Sequence, residues 1–447
     1  MAANWRAMNQ IAPEIVEQEG AAPASLVAIA SVIAAMGLIA IGNGLLFAYI
    51  PVRLESDGFP PTWAGMVLTL LSAGGMAGCL LTGRIVRRVG HARAFMTFAA
   101  IIILSNVAIG AGTHPVVWTA SRAVYGFAIN GMFIVAQSWL NDVVENRIRG
   151  RIMAAFYVTY EVGLGVGAFA LRFVDLQSAM APIIGVVFAA LAILPVGMTR
   201  LPPPPPPKSA AVAFRRAWSI SPVGVAGMLA VGGLSMMVSG FTPIHAAATG
   251  YSQADVATLL FAMPIGTLLF QIPFGWISDR TDRRYVIITA SALVVLGGLA
   301  ASRFDGSALP LMMLIYVVWS GSTESIYSLS SAHANDRADK DDLVPLASTM
   351  LFAWSLSGFV VPAIATALTA VYGTAAFMWI AVVIAIVFCL FVGWRIARQG
   401  SVPTAESGSF SPLAAQVPLP VELAFAPLEE SGEGTGEANC QIENGAS

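Results

Sequence analysis

Gly275-Trp276-Ile277-Ser278-Asp279-Arg280-Thr281-Asp282 lies between two long apolar runs, and 192 residues earlier the chain reads Gly83-Arg84-Ile85-Val86-Arg87-Arg88-Val89-Gly90 in the same setting. A second feature repeats at nearly the same distance: Asn141-Asp142 follows one apolar run and Asn335-Asp336 follows another, 194 residues on. Two independent features with almost one offset imply a duplicated unit. Counting the apolar runs in each copy then decides the fold.

Of the 447 residues, 57% are hydrophobic and 11% charged, whereas soluble domains carry about 25% charged residues. A bilayer core about 30 Å thick requires roughly 20 apolar residues per crossing. They must be helical, because the hydrocarbon offers no partner to a free N–H or C=O. Twelve runs qualify. In the first half they are Ser25–Ile50, Trp63–Leu81, Phe95–Gly112, Val116–Leu140, Met153–Phe173 and Ala181–Met198. In the second half they are Val223–Ala246, Val256–Ile277, Val286–Ala301, Leu309–Ala332, Val344–Val371 and Ala375–Trp394. The sequence therefore predicts an all-α integral membrane protein of twelve transmembrane helices in two pseudo-symmetric six-helix bundles, residues 25–199 and 221–398. Residues 1–24 are polar, with Glu14, Glu17 and Glu19. The run behind them is too long for the core of a cleavable signal and is expected to remain as the first span.

Lysine and arginine collect in cytoplasmic loops. With both termini placed in the cytoplasm, 19 of the 23 basic residues fall on that side, leaving Arg53, Arg172 and Arg303 outside and Arg122 within a span. An odd number of spans would mix the charges, so the bias supports the count as well as the direction. Between the halves, residues 200–220 include the unbroken run Pro202 to Pro207, which favours a stiff polyproline strap on the cytoplasmic side. Residues 399–447 hold seven Glu and no Lys or Arg, the composition of a disordered acidic tail.

Several functions are excluded. A net charge of −2 leaves no basic stripe for nucleic acid. Cys79, Cys389 and Cys440 have neither metal-ligand nor disulfide-framework spacing. No P-loop, H-E-x-x-H or G-x-S-x-G is present, so no enzyme, built-in ATP-driven pump, metal or cofactor is expected.

At the loop quoted above, a helix ends, the chain turns at glycine, and charged side chains clamp neighbouring helix ends. Positive-inside bias alone would account for about half of the arginines there. Gly275, Asp279, Arg280, Arg283 and Arg284 resemble the G-x-x-x-D-R-x-G-R-R loop of the major facilitator superfamily, with Asp282 where glycine is usual. The first copy keeps Gly83, Arg88 and Gly90 but puts Arg87 where the acid belongs. Arg122 and Gly126 in span four resemble the superfamily's R-x-x-x-G pattern. A narrower resemblance, to its YcaD-like branch, rests on Gln137-Ser138-Trp139-Leu140-Asn141, on Arg147 to Arg151 leading into Tyr157-Val158-Thr159-Tyr160, and on Ser328 to Asp336.

The resemblance implies a monomeric secondary transporter of the plasma membrane, the inner membrane of a bacterium, moving a small solute by alternating access, with protons as a candidate coupling ion. It further implies that spans one, four, seven and ten line a central cavity while three, six, nine and twelve form a scaffold. An alternative from another class is a non-transporting assembly or receptor protein that uses the tail for docking. Ser320, Glu324, Tyr327, Ser328 and Ser331 share one face of span ten, as do Ser235, Ser239 and Thr242 in span seven. Packing and cavity lining explain Ser235 and Ser239 equally well. Three ionisable groups stand within spans, Arg122, Glu161 and Glu324, where an unpaired charge costs at least about 2.5–3.5 kcal/mol. A carboxyl in a low-dielectric cavity resists ionisation and so exchanges protons near neutral pH. The candidate solute and proton pathway is Arg122, Asn130, Gln137, Glu161, Ser320, Glu324 and Tyr327, with Arg122 holding either a carboxylate or an anionic group of the solute. The competing account is an Arg122–carboxylate pair that only ties helices together.

Overall fold

The structure is a computed structural model describing residues 26–144, 146–198, 212–339 and 342–398. The expectations for residues 1–24, the run Pro202 to Pro207 and the tail 399–447 fall outside the described residues.

Among the described residues, twelve helices are long and apolar enough to cross a membrane: α1 Leu26–Ser56, α2 Pro61–Val89, α3 His91–Gly110, α4 Pro115–Val143, α5 Asn146–Ala170, α6 Met180–Met198, α7 Pro222–Ala248, α8 Gln253–Ser278, α9 Arg283–Arg303, α10 Leu309–Asn335, α11 Leu343–Tyr372 and α12 Ala376–Arg398. Their starts follow local chemistry. Pro61, Pro115 and Pro222 sit in first turns, where a missing N–H breaks no helix bond. Ser252 and Asp255 form a reciprocal capping box ahead of α8.

Some helices overrun the expected spans. Helix α2 continues to Val89, so Gly83 is helical and the chain reverses at Gly90, whose φ of 82° suits glycine. In the second copy Asp282 takes that place and caps α9 through the backbone N–H of Arg284. Part of the stretch expected as an extended strap is also helical, at Phe214–Ile220. Arg216 there grips Asp342 at 2.6 Å, which ties the linker to the start of α11.

The pairing of helices is duplicated. In the first bundle α1 packs on α5 and α6, α2 on α4, and α3 on α4 and α6. In the second α7 packs on α11 and α12, α8 on α10, and α9 on α10 and α12. The two bundles meet through α5 against α8 and α2 against α11. Burial sorts the helices as duplication requires: α1, α4, α7 and α10 are the most enclosed, and the buried share of their apolar windows reaches 78% in α7 against 33% in α6. Val383, Val387 and Leu390 on α12, and Ile183, Val187 and Leu194 on α6, stay exposed at helical spacing, a face for lipid chains.

Lipid tails are as apolar as leucine, so helices associate by close packing, which small residues permit. A Cβ at Gly74 would drive into the Ala123 carbonyl and one at Gly126 into the Leu71 carbonyl, so α2 and α4 touch backbone to backbone. The second copy does the same: a Cβ at Gly266 would strike the Val317 carbonyl, and one at Gly321 the Gly266 carbonyl. Overpacking costs about 1–3 kcal/mol even where side chains can give way, and here the obstruction is backbone. Gly126→Leu is therefore expected to remove the folded, monodisperse protein in fluorescence-detected size exclusion, whereas Gly150→Leu, which meets open space, leaves it intact.

Candidate functional site

Between the bundles lies a cavity of about 1210 Å³, counted with its open mouth. The first bundle contributes Asn43 from α1, Ser72 and Met76 from α2, Tyr125 and Asn130 from α4, and Tyr160 and Glu161 from α5. The second contributes Met236 and Ser239 from α7, Met263 and Thr267 from α8, and Trp354 and Ser355 from α11.

Helix α7 reaches the cavity through an irregularity. Residues Met236–Phe241 form a π-turn, and Met236 and Ser239 project from it. Pro243 has no N–H to donate to the carbonyl four residues earlier, and a wider turn absorbs that loss. Within it, Gly240 packs on Leu68 so closely that a Cβ would clash. Leu46, Ile50, Ala64 and Ile244 complete an apolar contact between α1, α2 and α7 on the arginine-poor face. Gln253 donates to the Val174 carbonyl at 2.6 Å, and Thr69 meets Thr366 at 3.3 Å, both across the two bundles. The bundles are thus joined at the arginine-poor face.

The predicted pathway residues fall into three places. Asn130 and Glu161 line the cavity. Gly75 opposite Asn130 leaves room for its amide. Glu161 is 4% exposed and forms no hydrogen bond or ion pair among the described residues. Arg122 is buried just behind the wall: its Nη2 lies 3.5 Å from Asn43 Oδ1, its Cζ 3.9 Å from the centre of the Tyr125 ring, and its Nη1 meets no acceptor among the described residues. Among the described residues Arg122 forms no ion pair with a carboxylate, the contact that the competing account above requires.

Gln137, Ser320, Glu324 and Tyr327 do not line this cavity. Gln137 donates to the Tyr157 hydroxyl at 2.8 Å, inside the α4–α5 packing. Ser320 donates to the Met263 carbonyl at 3.0 Å, where Gly266 and Gly321 bring α8 against α10, and this contact turns the polar face of α10 away from the cavity. Tyr327 stands behind Trp354, their rings 6.4 Å apart. Glu324 is buried within α10. Of the two serines left open by sequence, Ser239 lines the cavity and Ser235 is packed.

Sequence reasoning missed Asn43, Tyr125 and Tyr160. Asn43 carried a signal, being the lone amide in the first apolar run, and it links Tyr160, 3.4 Å away, to Arg122. Tyr125 follows Arg122 by three residues, the spacing of one helix face.

The loop motif behaves differently in its two copies. Arg283 is buried and clamps Asp336 at 2.6 Å, Ser278 at 3.1 Å and Asp279 at 3.4 Å. Arg284 is buried against Asp282 at 2.7 Å, and Arg280 lies over Trp276 at 4.1 Å. In the first copy Arg84, Arg87 and Arg88 are exposed. Although burial pushes the Asp282 carboxyl upward, hydrogen bonds from Arg284 and its charge hold it below the usual carboxylate range. The stabilisation it supplies is therefore complete above pH about 4 and lost as the pH falls through the lowered value. Asp282→Asn should flatten the acid limb of the melting-temperature profile. Removing one partner of a buried pair costs about 3 kcal/mol, so Asp336→Ala should lower the melting temperature of the detergent-solubilised protein at neutral pH well below that of Asp342→Ala, whose Arg216 partner is 60% exposed.

A duplicated set of twelve membrane-crossing helices around a central cavity defines a membrane transporter. The family model described as Major Facilitator Superfamily matches residues 32–224 and 223–428, and the chain belongs to this superfamily. An uncharacterised MFS-type transporter of Enterobacter sp. is 24% identical over 332 residues, 73% of this chain and 84% of that protein. The uncharacterised MFS-type transporter YcaD of Escherichia fergusonii is 22% identical over 379 residues, covering 83% and 96%. Among solved structures, the nucleoside transporter NupG superposes with a TM-score of 0.66 at 12% identity, covering 83% of this chain and all of that one. A D-xylose-proton symporter gives 0.64 at 12% identity, covering 82% and 97%.

Proposed function

We propose that this protein is a secondary active transporter that moves a small solute by alternating access and couples the movement to protons through Glu161. The observation that carries the reading is Glu161 itself, a carboxyl on the cavity wall with no hydrogen-bond or ion-pair partner among the described residues. A charge held in that setting is costly unless it is neutralised by a proton or a ligand. Glu324, from the other bundle, adds a second negative charge within electrostatic reach, and two such carboxyls disfavour joint ionisation. Movement of one bundle against the other changes their separation and hence the proton affinity of the pair.

Contact between the bundles at the arginine-poor face supports a state in which the cavity communicates with the arginine-rich side. By the positive-inside bias that side is the cytoplasm, so both termini are cytoplasmic and the membrane is the inner membrane of a bacterium. Residues 25–199 and 221–398 act as the two rocking units, with 200–220 as their strap. Asn43, Asn130, Tyr125 and Ser239 provide polar contacts for the solute, and the protein works as a monomer. Proton coupling has a precedent on this fold in the D-xylose-proton symporter, whose sugar is not transferred to this chain at 12% identity.

The test is solute flux in proteoliposomes under an imposed pH gradient, screening metabolites and amphipathic compounds. Glu161→Gln is expected to abolish proton-driven accumulation while leaving solute exchange across equal pH within about tenfold of the wild type. Undiminished accumulation in Glu161→Gln, or in the Glu161→Gln/Glu324→Gln double variant, defeats the coupling assignment.

A further inference from the structure

We infer that the solute is an organic anion, a carboxylate with an apolar body, and that Arg122 binds its carboxylate. The inference rests on the transport reading above and names the substrate class of that same cavity.

Arg122 is 1% exposed, inside a membrane-crossing helix. Its guanidinium cannot shed its charge as a carboxyl can, since the group stays protonated in proteins. A buried charge needs a counter-charge and a full set of acceptors. Arg122 has neither among the described residues: Asn43 Oδ1 accepts at the long distance of 3.5 Å, Tyr125, its ring 3.9 Å away, is a neutral partner, and Nη1 meets no acceptor. Other buried arginines in this protein are treated otherwise. Arg283 and Arg284 each face an aspartate within 2.7 Å. Arg122 is thus a cation left for something that the described residues do not supply.

Its position indicates what would supply it. Arg122 borders the apolar space between α1, α2 and α7, and Phe47 and Leu71 line both that space and the central cavity. Asn43 and Tyr125, which touch Arg122, are themselves cavity wall. An anion entering the cavity's closed end therefore reaches the guanidinium beside Asn43, and its body lies against Phe47 and Leu71. A planar carboxylate matches the forked donors of arginine, and the apolar neighbours fit a hydrocarbon or aromatic body better than a bare inorganic ion. Glu161 does not compete, because it forms no pair with Arg122 and its assigned task is the proton.

The experiment measures thermal stabilisation of the purified full chain in detergent micelles by butyrate and benzoate, by their neutral amides butyramide and benzamide, and by inorganic phosphate. The carboxylates should raise the melting temperature saturably, and the amides and phosphate should not. Arg122→Gln should weaken carboxylate binding on the order of a hundredfold, and Arg122→Lys less. Should Arg122→Gln fail to fold, Asn43→Asp serves instead, since it places a carboxylate of the chain beside Arg122 and should block butyrate and benzoate while raising the melting temperature without ligand. Equal responses to acids and amides, a stronger response to phosphate, or carboxylate binding unchanged in Asn43→Asp overturns the inference. If the wild type ignores both carboxylates but accumulates neutral or cationic solutes, the anionic class falls and transport stands. Arg122-dependent carboxylate binding without flux of either acid keeps the site and defeats the transport reading.

Discussion

Two pairs of helices that touch through their backbones hold the rest of this molecule in register. Gly74 and Gly126 let α2 meet α4, and Gly266 and Gly321 let α8 meet α10. Inside hydrocarbon no hydrophobic pressure drives helices together, so the depth of such contacts sets helix rotation and decides which residues look outward or inward. With α4 pinned against α2, Tyr125 and Asn130 present themselves to the central space. With α10 pinned against α8, Ser320 bonds to the Met263 carbonyl and the polar face of α10 is occupied within its own bundle. The same device, used twice, sets Tyr125 and Asn130 of the first bundle on the cavity wall and keeps Ser320 of the second off it, the second bundle lining the cavity from α7, α8 and α11 instead.

Charge is distributed on the same principle of satisfaction, with opposite outcomes by depth. At the arginine-rich face, guanidinium groups are matched by carboxylates in short ion pairs, as in Arg283 with Asp336 and Arg284 with Asp282. Near the middle, Arg122 and Glu161 are left without counter-charges among the described residues. Two of the three ionisable groups within spans, Arg122 and Glu161, lie in the first bundle, whose copy of the loop motif keeps Arg84, Arg87 and Arg88 at the surface.

The fold was almost wholly legible in the sequence, because the period and length of apolar runs are dictated by the bilayer. The offset shared by Gly83 with Gly275, and by Asp142 with Asp336, marked the duplication. Helix ends were less legible: nothing in the apolar pattern distinguishes Leu81, where hydropathy falls, from Val89, where the helix stops. The site was half legible. Ionisable residues within spans stood out by their cost, and Glu161 and Asn130 do line the cavity. Glu324 was placed there by its ionisable group and its spacing, and Tyr327 by spacing, which gives a shared face but not its direction; that direction comes from glycine contacts between helices far apart in sequence. Asn43 and Tyr160 were overlooked because neither is ionised, and their role emerges only through the bridge to Arg122.

The π-turn at Met236–Phe241 means that α7 accommodates one more residue than a regular helix would over the same rise. Deleting a single residue there would heal the helix instead of breaking it, and would keep Thr242–Ala248 near its present depth while withdrawing Ser239 and Gly240 from their neighbours. Elsewhere in a membrane-crossing helix, losing one residue turns everything beyond it by about a hundred degrees, the angle between successive residues of an α-helix. The wall of the cavity that α7 supplies is thus adjustable in length without disturbing His245, which is fixed to Asp305 at 3.0 Å beyond it.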